Sequence, residues 1–132
     1  MKTVLFVCVE NSNRSQMAEA FARLHGGDSV RAASAGSRPS GRINPKAIEA
    51  MREVGYDLTT HASKGLEAFN GRPVDVAVTM GCGDECPVVL ADRREDWQIP
   101  NPRAMSPEEF RGVRDLIESK VLELLACLDD RG

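Results

Sequence analysis

The sequence predicts an α/β fold: one domain with a four-stranded parallel sheet and helices on both faces. The 132 residues are the length of a single domain with a substantial core. Short apolar runs suited to buried strands alternate along the chain with amphipathic stretches of helical spacing. Strands that alternate with helices in this way are typical of parallel sheets. We therefore expect residues 1–132 to form one domain of this class.

Four stretches have the composition of strands. The first is apolar without alternation, as in a strand buried on both faces. The second is closed by a glycine, and the last is ended by a proline. The predicted strands are residues 3–8, 30–35, 74–80 and 96–99.

Three stretches have helical signals. The first has an apolar face formed by Met17, Ala20, Phe21 and Leu24. The second begins at Asn44-Pro45, an N-cap followed by a first-turn proline, and ends at Gly55. The third begins with a capping box at residues 106–109, Ser-Pro-Glu-Glu, and continues as a long amphipathic helix.

Composition excludes several function classes. The formal net charge of −3, without a basic stripe, argues against a nucleic-acid partner. No apolar run approaches the ~18 residues of a membrane span, and residues 2–9 are too short for a secretory signal. Four cysteines in such a chain indicate redox or metal chemistry rather than structural disulfides. We expect a cytoplasmic monomer with no membrane partner.

The stretch that follows the first strand indicates an anion site. Cys8 ends the strand, and Arg14 and Ser15 begin the helix. Backbone N–H groups that converge at a helix N-terminus favour a tetrahedral oxyanion, and the same field stabilises a thiolate. Cys8 is therefore the predicted nucleophile, and the guanidinium of Arg14 can bind two anion oxygens. The predicted oxyanion-binding loop comprises Val9, Glu10, Asn11, Ser12, Asn13 and Arg14.

Two further cysteines, Cys82 and Cys86, lie four residues apart in the loop after the third strand. Cys8, Ser34, Cys82 and Asn101 all lie at or just after predicted strand ends, where ligands bind in parallel sheets, so one site can gather them. Zinc needs about four ligands, and too few are present, so we expect no metal of this kind.

The combined motifs resemble the arsenate reductases of the low-molecular-weight tyrosine phosphatase fold, from residue 3 to about residue 126. The resemblance lies in Asn11-Ser12, residues 14–19, residues 34–36, residues 78–80, residues 82–87 and Asp96-Trp97. It implies an oxidoreductase of arsenical resistance with a redox-active disulfide.

The resemblance also implies a thiol relay. Cys8 would attack arsenate, Cys82 would attack the Cys8 sulfur and release arsenite, and Cys86 would then form a disulfide with Cys82. No tightly bound cofactor is implied. An external thiol reductant would complete the cycle: thioredoxin, glutaredoxin or mycothiol.

The same resemblance assigns supporting roles. Ser15 corresponds to a hydroxyl that bonds the thiolate; the alternative is a simple helix-cap serine. Asn11, Glu19 and Ser34 match part of a potassium site found in some of these reductases, with Ser63 as the nearest counterpart of the remaining ligand. The alternative for Glu19 is a solvated residue on the first helix.

Two positions depart from the family pattern. Asn101 stands where the family has an aspartate that acts as general acid, and an amide cannot deliver a proton. Glu10 lies in the loop where the reductases commonly have glycine. We hypothesise that Glu10 lies at the rim of the site and partly substitutes for the acid.

Two alternative functions stay open at this stage. One is a low-molecular-weight protein tyrosine phosphatase that hydrolyses phosphomonoesters through a phosphocysteine at Cys8, and a residual phosphatase activity is compatible with the reductase as well. A phosphatase function alone would leave the pair Cys82 and Cys86 without a role, and the chain has few aromatic residues to hold a phosphotyrosine ring. The other is a non-catalytic domain that senses oxyanions or redox state.

Overall fold

The computed structural model describes residues 2–8, 10–38, 40–65, 73–80, 91–100, 102 and 104–130. It confirms the α/β fold class, with one four-stranded parallel sheet in the order β2-β1-β3-β4. The strands are β1 (Lys2–Cys8), β2 (Val30–Gly36), β3 (Val74–Thr79) and β4 (Ala91–Asp96). The helices are α1 (Arg14–Gly26), α2 (Pro45–Arg52) and α3 (Pro107–Asp130).

The central strand β1 positions the site. Its residues from Val4 to Cys8 are buried, which explains the unbroken apolar run. The chain passes from β1 to β2 on one side and returns to β3 on the other. The carboxyl end of β1 is therefore a point where the strand order reverses, which is the usual ligand site of such sheets.

The fourth strand lies earlier than the sequence predicts. Residues 96–99 were the predicted strand, whereas β4 spans Ala91–Asp96. This strand lies at the sheet edge and is largely charged, so it lacks the apolar signal of the interior strands. The apolar signal at residues 96–99 comes from Trp97 and Ile99, which pack into the core beyond the end of the strand and are 5% and 3% exposed.

The N-termini of α2 and α3 confirm the two predicted N-caps, whereas α2 ends at Arg52 with Glu53 as its C-cap, before the predicted end at Gly55. The side chain of Asn44 accepts a hydrogen bond from the backbone N–H of Lys46 at 2.9 Å. Ser106 and Glu109 form the reciprocal bonds of a capping box, at 3.2 and 3.3 Å. None of the helices in the described ranges is long and apolar enough to cross a membrane.

Two apolar clusters lie against the sheet. All buried apolar residues of α1, α2 and α3 belong to the larger cluster, which covers one face together with Val4, Phe6, Val76 and Val78. The opposite face carries a smaller cluster centred on Leu5 and Val7. The described helices thus account for one of the two predicted helical layers.

Candidate active site

The loop after β1 forms a buried ring of backbone donors. Asn11, Ser12 and Asn13 are at most 6% exposed. Asn11 has a φ of +50°, a left-handed conformation that asparagine tolerates better than most residues. The backbone N–H groups of Asn11 to Ser15 donate to no acceptor within the described parts of the chain. Buried, unpaired amides at a helix N-terminus are an anion-binding arrangement.

The thiol of Cys8 lies at this ring and has a side-chain donor. The Cys8 Sγ and Ser15 Oγ atoms are 2.9 Å apart, and both residues are buried. The Nδ2 atom of Asn11 donates to the same Ser15 oxygen at 2.8 Å. Because that oxygen already accepts a hydrogen bond, its own hydrogen is available to the sulfur. The hydroxyl is therefore placed to donate to the sulfur when it acts as a nucleophile.

Arg14 is anchored on one side only. Its Nη1 atom donates to the carbonyl of Met80 and, at 2.9 Å, to the carbonyl of Ile99. The residue is 7% exposed, and its Nε and Nη2 atoms bond to no acceptor in the described residues. One edge of the guanidinium is thus fixed by the protein, and the other donors remain for an oxyanion.

The loop backbone is held from outside by residues 40–64. The carbonyl of Glu10 accepts from the backbone N–H of Ser40 and from the hydroxyl of Ser63, both at 3.0 Å. The carbonyl of Ser12 accepts from the N–H of Asn44 at 3.1 Å. These bonds turn the loop carbonyls away from the site and leave its amides for the anion.

A comparison of the sequence with known families supports this geometry. The profile of the family named low molecular weight phosphotyrosine protein phosphatase matches residues 3–131. The chain belongs to this family.

Relatives within the family are arsenate reductases by name. The chain is 42% identical over 129 residues to the glutaredoxin arsenate reductase of Synechocystis, covering 96% of this chain and 98% of that protein. It superposes with a TM-score of 0.87 on an arsenate reductase in the phosphate-binding state, at 40% identity, covering 96% and 98% of the two chains. The thioredoxin-dependent arsenate reductase of Corynebacterium glutamicum gives a TM-score of 0.82 at 30% identity, covering all of this chain and 64% of that one.

The structure describes some of the predicted site residues and not others. Hydrogen bonds connect Cys8, Ser15 and Asn11, while the guanidinium of Arg14, at the start of the same helix, bonds to the carbonyls of Met80 and Ile99. Val9, Cys82, Cys86 and Asn101 lie outside the described residues. Glu10 is half-buried, and its carbonyl holds the loop in place as described above.

Three of the predicted potassium ligands already contact other groups of the protein. Glu19 and Ser34 do lie together, but the Ser34 hydroxyl donates to one carboxylate oxygen at 2.6 Å. Arg23 pairs with the other oxygen at 2.8 Å, and the ammonium of Lys64 lies 3.9 Å from the first. The side-chain oxygen of Asn11 already accepts from the backbone N–H of Lys64 at 2.9 Å. A potassium ion at these ligands would therefore share the Glu19 carboxylate with Arg23 and Lys64 and the Asn11 oxygen with a backbone N–H.

Three polar residues behind the loop were missed as a connected group by the sequence analysis. The amide nitrogen of Gln16 donates to the Oδ1 atom of Asn11 at 2.9 Å, and the Oε1 atom of Gln16 lies 2.9 Å from His61 Nδ1. His61 Nε2 lies 2.7 Å from the hydroxyl of Tyr56. Burial lowers the pKa of His61 despite the nearby carboxylate of Glu19, which acts in the opposite direction. The sequence does not indicate the contact between Gln16 and His61, because no spacing pattern connects a residue to a helix 45 positions earlier.

Proposed function

We propose that this chain is an arsenate reductase, which reduces arsenate to arsenite by a relay through Cys8, Cys82 and Cys86. The observation that carries the proposal is the buried Cys8 thiol, 2.9 Å from the Ser15 hydroxyl, at a loop whose amides have no acceptor among the described residues. The named arsenate reductases at about 40% identity over nearly the whole chain support the same reaction. The phosphate-binding state of one of them is consistent with a tetrahedral oxyanion in the loop.

The first step forms a covalent adduct. The thiolate of Cys8 attacks the arsenic atom of arsenate held by the loop amides and Arg14. A sulfur–arsenic bond forms, an arsenic–oxygen bond breaks, and that oxygen leaves as water after taking up protons. The amides and the guanidinium stabilise the negative charge on the remaining oxygens throughout this step.

The second step transfers two electrons to arsenic. The thiolate of Cys82 attacks the Cys8 sulfur, a disulfide forms, and the electron pair of the sulfur–arsenic bond stays on arsenic, which leaves as arsenite. The thiolate of Cys86 then attacks Cys82, which restores the Cys8 thiolate and leaves a Cys82–Cys86 disulfide. An external dithiol, or two molecules of a small monothiol, reduces this disulfide and is itself oxidised to a disulfide.

The contacts of Arg14 support the participation of the later segments. Met80 precedes Cys82 by two residues, and Ile99 precedes Asn101 by two. The backbone carbonyls of Met80 and Ile99 both accept from the guanidinium of Arg14. Two residues of chain extend at most about 7 Å, so each segment begins within short reach of the anion loop.

The reductant is a thioredoxin-like protein or a small thiol. The Synechocystis relative is named a glutaredoxin arsenate reductase, and the Corynebacterium structure is named thioredoxin-dependent, so both reductants are candidates, with mycothiol as a third. We expect the enzyme to act as a monomer in the cytoplasm, where such reductants keep thiols reduced. Size-exclusion chromatography with light scattering tests the monomer.

The proposal is tested by arsenate-dependent NADPH oxidation with purified thioredoxin, glutaredoxin or mycothiol systems, one at a time. We expect turnover with one of them and its loss in the variants Cys8→Ser, Cys82→Ser and Cys86→Ser. Cys127→Ser is the matched control, since Cys127 lies on α3 and its sulfur accepts from Arg93 at 3.1 Å, away from the loop.

Two results would overturn the relay. Hydrolysis of p-nitrophenyl phosphate that survives Cys82→Ser, with no arsenate turnover, would identify a phosphatase. Phosphate binding with neither activity would identify a sensor domain.

A further inference from the structure

We propose that Tyr56 and His61 are positioning residues, which orient the hydroxyl of Ser15 toward the Cys8 sulfur through a directed chain of hydrogen bonds. The proposal rests on the proposed function insofar as Cys8 is the nucleophile of the reaction. It adds two residues, more than 40 positions from Cys8 along the chain, to the machinery of that thiol.

The orientation of the Gln16 amide determines the direction of the chain. Its nitrogen lies within 3.0 Å of three acceptors: the carbonyl of Asn11, the side-chain oxygen of Asn11 and the carbonyl of Ala62. These atoms can only accept, so the NH2 group must face them. The oxygen of the same amide therefore faces His61 Nδ1, and this ring nitrogen must carry a proton in order to donate to it.

The environment of His61 extends the chain to Tyr56. The His61 side chain is 1% exposed. Burial lowers the pKa of the imidazole, as do the charges of Arg23 and Lys64, while Glu19 at 3.6 Å raises it. The net lowering favours the neutral ring, and with its proton on Nδ1 the Nε2 atom must accept.

The donor to Nε2 is the phenol of Tyr56, at 2.7 Å. Burial raises the pKa of Tyr56 above its usual range, so the phenol keeps its proton at neutral pH. The outer end of the chain is thus a fixed donor.

The inner end of the chain reaches the nucleophile. The side-chain oxygen of Asn11 accepts from Gln16 and from the backbone N–H of Lys64, which directs the Asn11 NH2 group toward Ser15. Ser15 accepts this bond. A Cys8 thiolate can only accept, so toward the nucleophilic form of Cys8 the Ser15 hydroxyl is the donor.

All five bonds, Tyr56 to His61, His61 to Gln16, Gln16 to Asn11, Asn11 to Ser15 and Ser15 to Cys8, therefore run in one direction. Bonds arranged in one direction polarise one another, and each link restricts the orientation of the next. Without a donor at position 61, the Gln16 oxygen loses its partner and the amide is held by its NH2 contacts alone. The polarisation that reaches Ser15 through Asn11 then weakens.

The experiment compares two substitutions of His61 in the full-length, reduced protein. His61→Asn keeps an N–H donor close to the position of Nδ1, whereas His61→Leu fills a similar space without one. Iodoacetamide alkylation of Cys8 is followed by peptide mass spectrometry across a pH series, with Cys127 in the same samples as an internal reference.

We expect His61→Leu to slow Cys8 alkylation at neutral pH by about threefold or more and to raise the pH of half-maximal rate. His61→Asn should stay within about twofold of the wild type, and Cys127 should react equally in all samples. Tyr56→Phe removes only the outermost donor and should produce a smaller slowing, which keeps the proposal testable if His61→Leu does not fold.

A wild-type alkylation profile in folded His61→Leu or, where that variant does not fold, in Tyr56→Phe would overturn the proposal. Equal slowing in His61→Asn and His61→Leu would also overturn it, because the effect would then be one of packing. The assay needs no arsenate, so a wild-type protein that fails to reduce arsenate refutes the proposed function and leaves this result standing.

Discussion

Replacement of Ser15 with alanine isolates the contribution of one hydroxyl to the nucleophile. The hydroxyl lies 2.9 Å from the Cys8 sulfur and accepts from Asn11 at 2.8 Å, in surroundings where both Cys8 and Ser15 are buried. Water therefore cannot easily replace it. The substitution removes a donor to a charged atom and leaves the Asn11 amide with one bond fewer.

The expected size of the effect follows from two opposing terms. A hydrogen bond to a charged group contributes about 1.5–3 kcal/mol, which corresponds to a thiolate population about 12- to 150-fold smaller wherever the thiol form predominates. A less stabilised thiolate is also a better nucleophile, and a Brønsted coefficient of about 0.45 restores about three- to ninefold of the rate. The net expectation for Ser15→Ala is Cys8 alkylation about 4- to 16-fold slower than in the wild type.

The assay is the initial rate of Cys8 alkylation by iodoacetamide in the full-length, reduced protein, read by peptide mass spectrometry. Ser15→Thr is the matched control, since it retains the hydroxyl, and thermal melts of both variants establish that the fold is intact. Equal rates in wild type and a well-folded Ser15→Ala would refute the reasoning, because the hydroxyl would then not stabilise the thiolate.

Three further predictions concern stability and the acid role. Gly26→Ala should destabilise the fold by about 1–3 kcal/mol in urea unfolding, because the added Cβ would lie 2.6 Å from a methyl of Val30. Gly112→Ala is the control: it lies in open space within α3 and should stabilise the fold by about 0.5–1 kcal/mol. Equal effects of the two substitutions would contradict the predicted clash at Gly26. The free energy of unfolding should decrease as the pH falls below the ordinary histidine pKa of 6.5, because the unfolded chain takes up the proton before the folded state, in which the pKa of His61 is lowered. That decrease should be smaller in His61→Asn, as measured by urea unfolding at several pH values. Glu10→Gln should lower arsenate turnover and alter its pH profile, whereas unchanged steady-state kinetics would show that Glu10 does not substitute for an acid.

The sequence predicts those parts of the fold whose signals are local. The apolar run of β1 and the cap at Asn44 are each readable within a few residues, because burial and helix capping act over that distance. The predicted position of the fourth strand, residues 96–99, was wrong, because an edge strand of charged residues such as β4 carries no such signal. The neighbouring Trp97 and Ile99 carry an apolar signal that reflects the core rather than the strand.

The candidate active site also has a part with local sequence signals and a part that depends on tertiary packing. Cys8, Arg14 and Ser15 lie close together in the sequence, so their grouping follows from one strand, one turn and one helix. The contacts of Gln16 with His61, and of Arg14 with the carbonyl of Ile99, depend on how distant segments pack. No composition or spacing of residues encodes the amide orientation or the backbone carbonyls that make these contacts.

Anchorage of the anion loop by residues 40–64 bears on protein design. Residues 8–16 look like a cassette that could be transplanted onto another strand–turn–helix unit. Yet the carbonyls of Glu10 and Ser12 and the side-chain oxygen of Asn11 are held by donors from the 40–64 stretch. A graft of the short motif alone would leave those oxygens to turn inward and compete with the anion for the same space. A transferable oxyanion site therefore has to include both stretches, or a designed substitute that provides the same external donors.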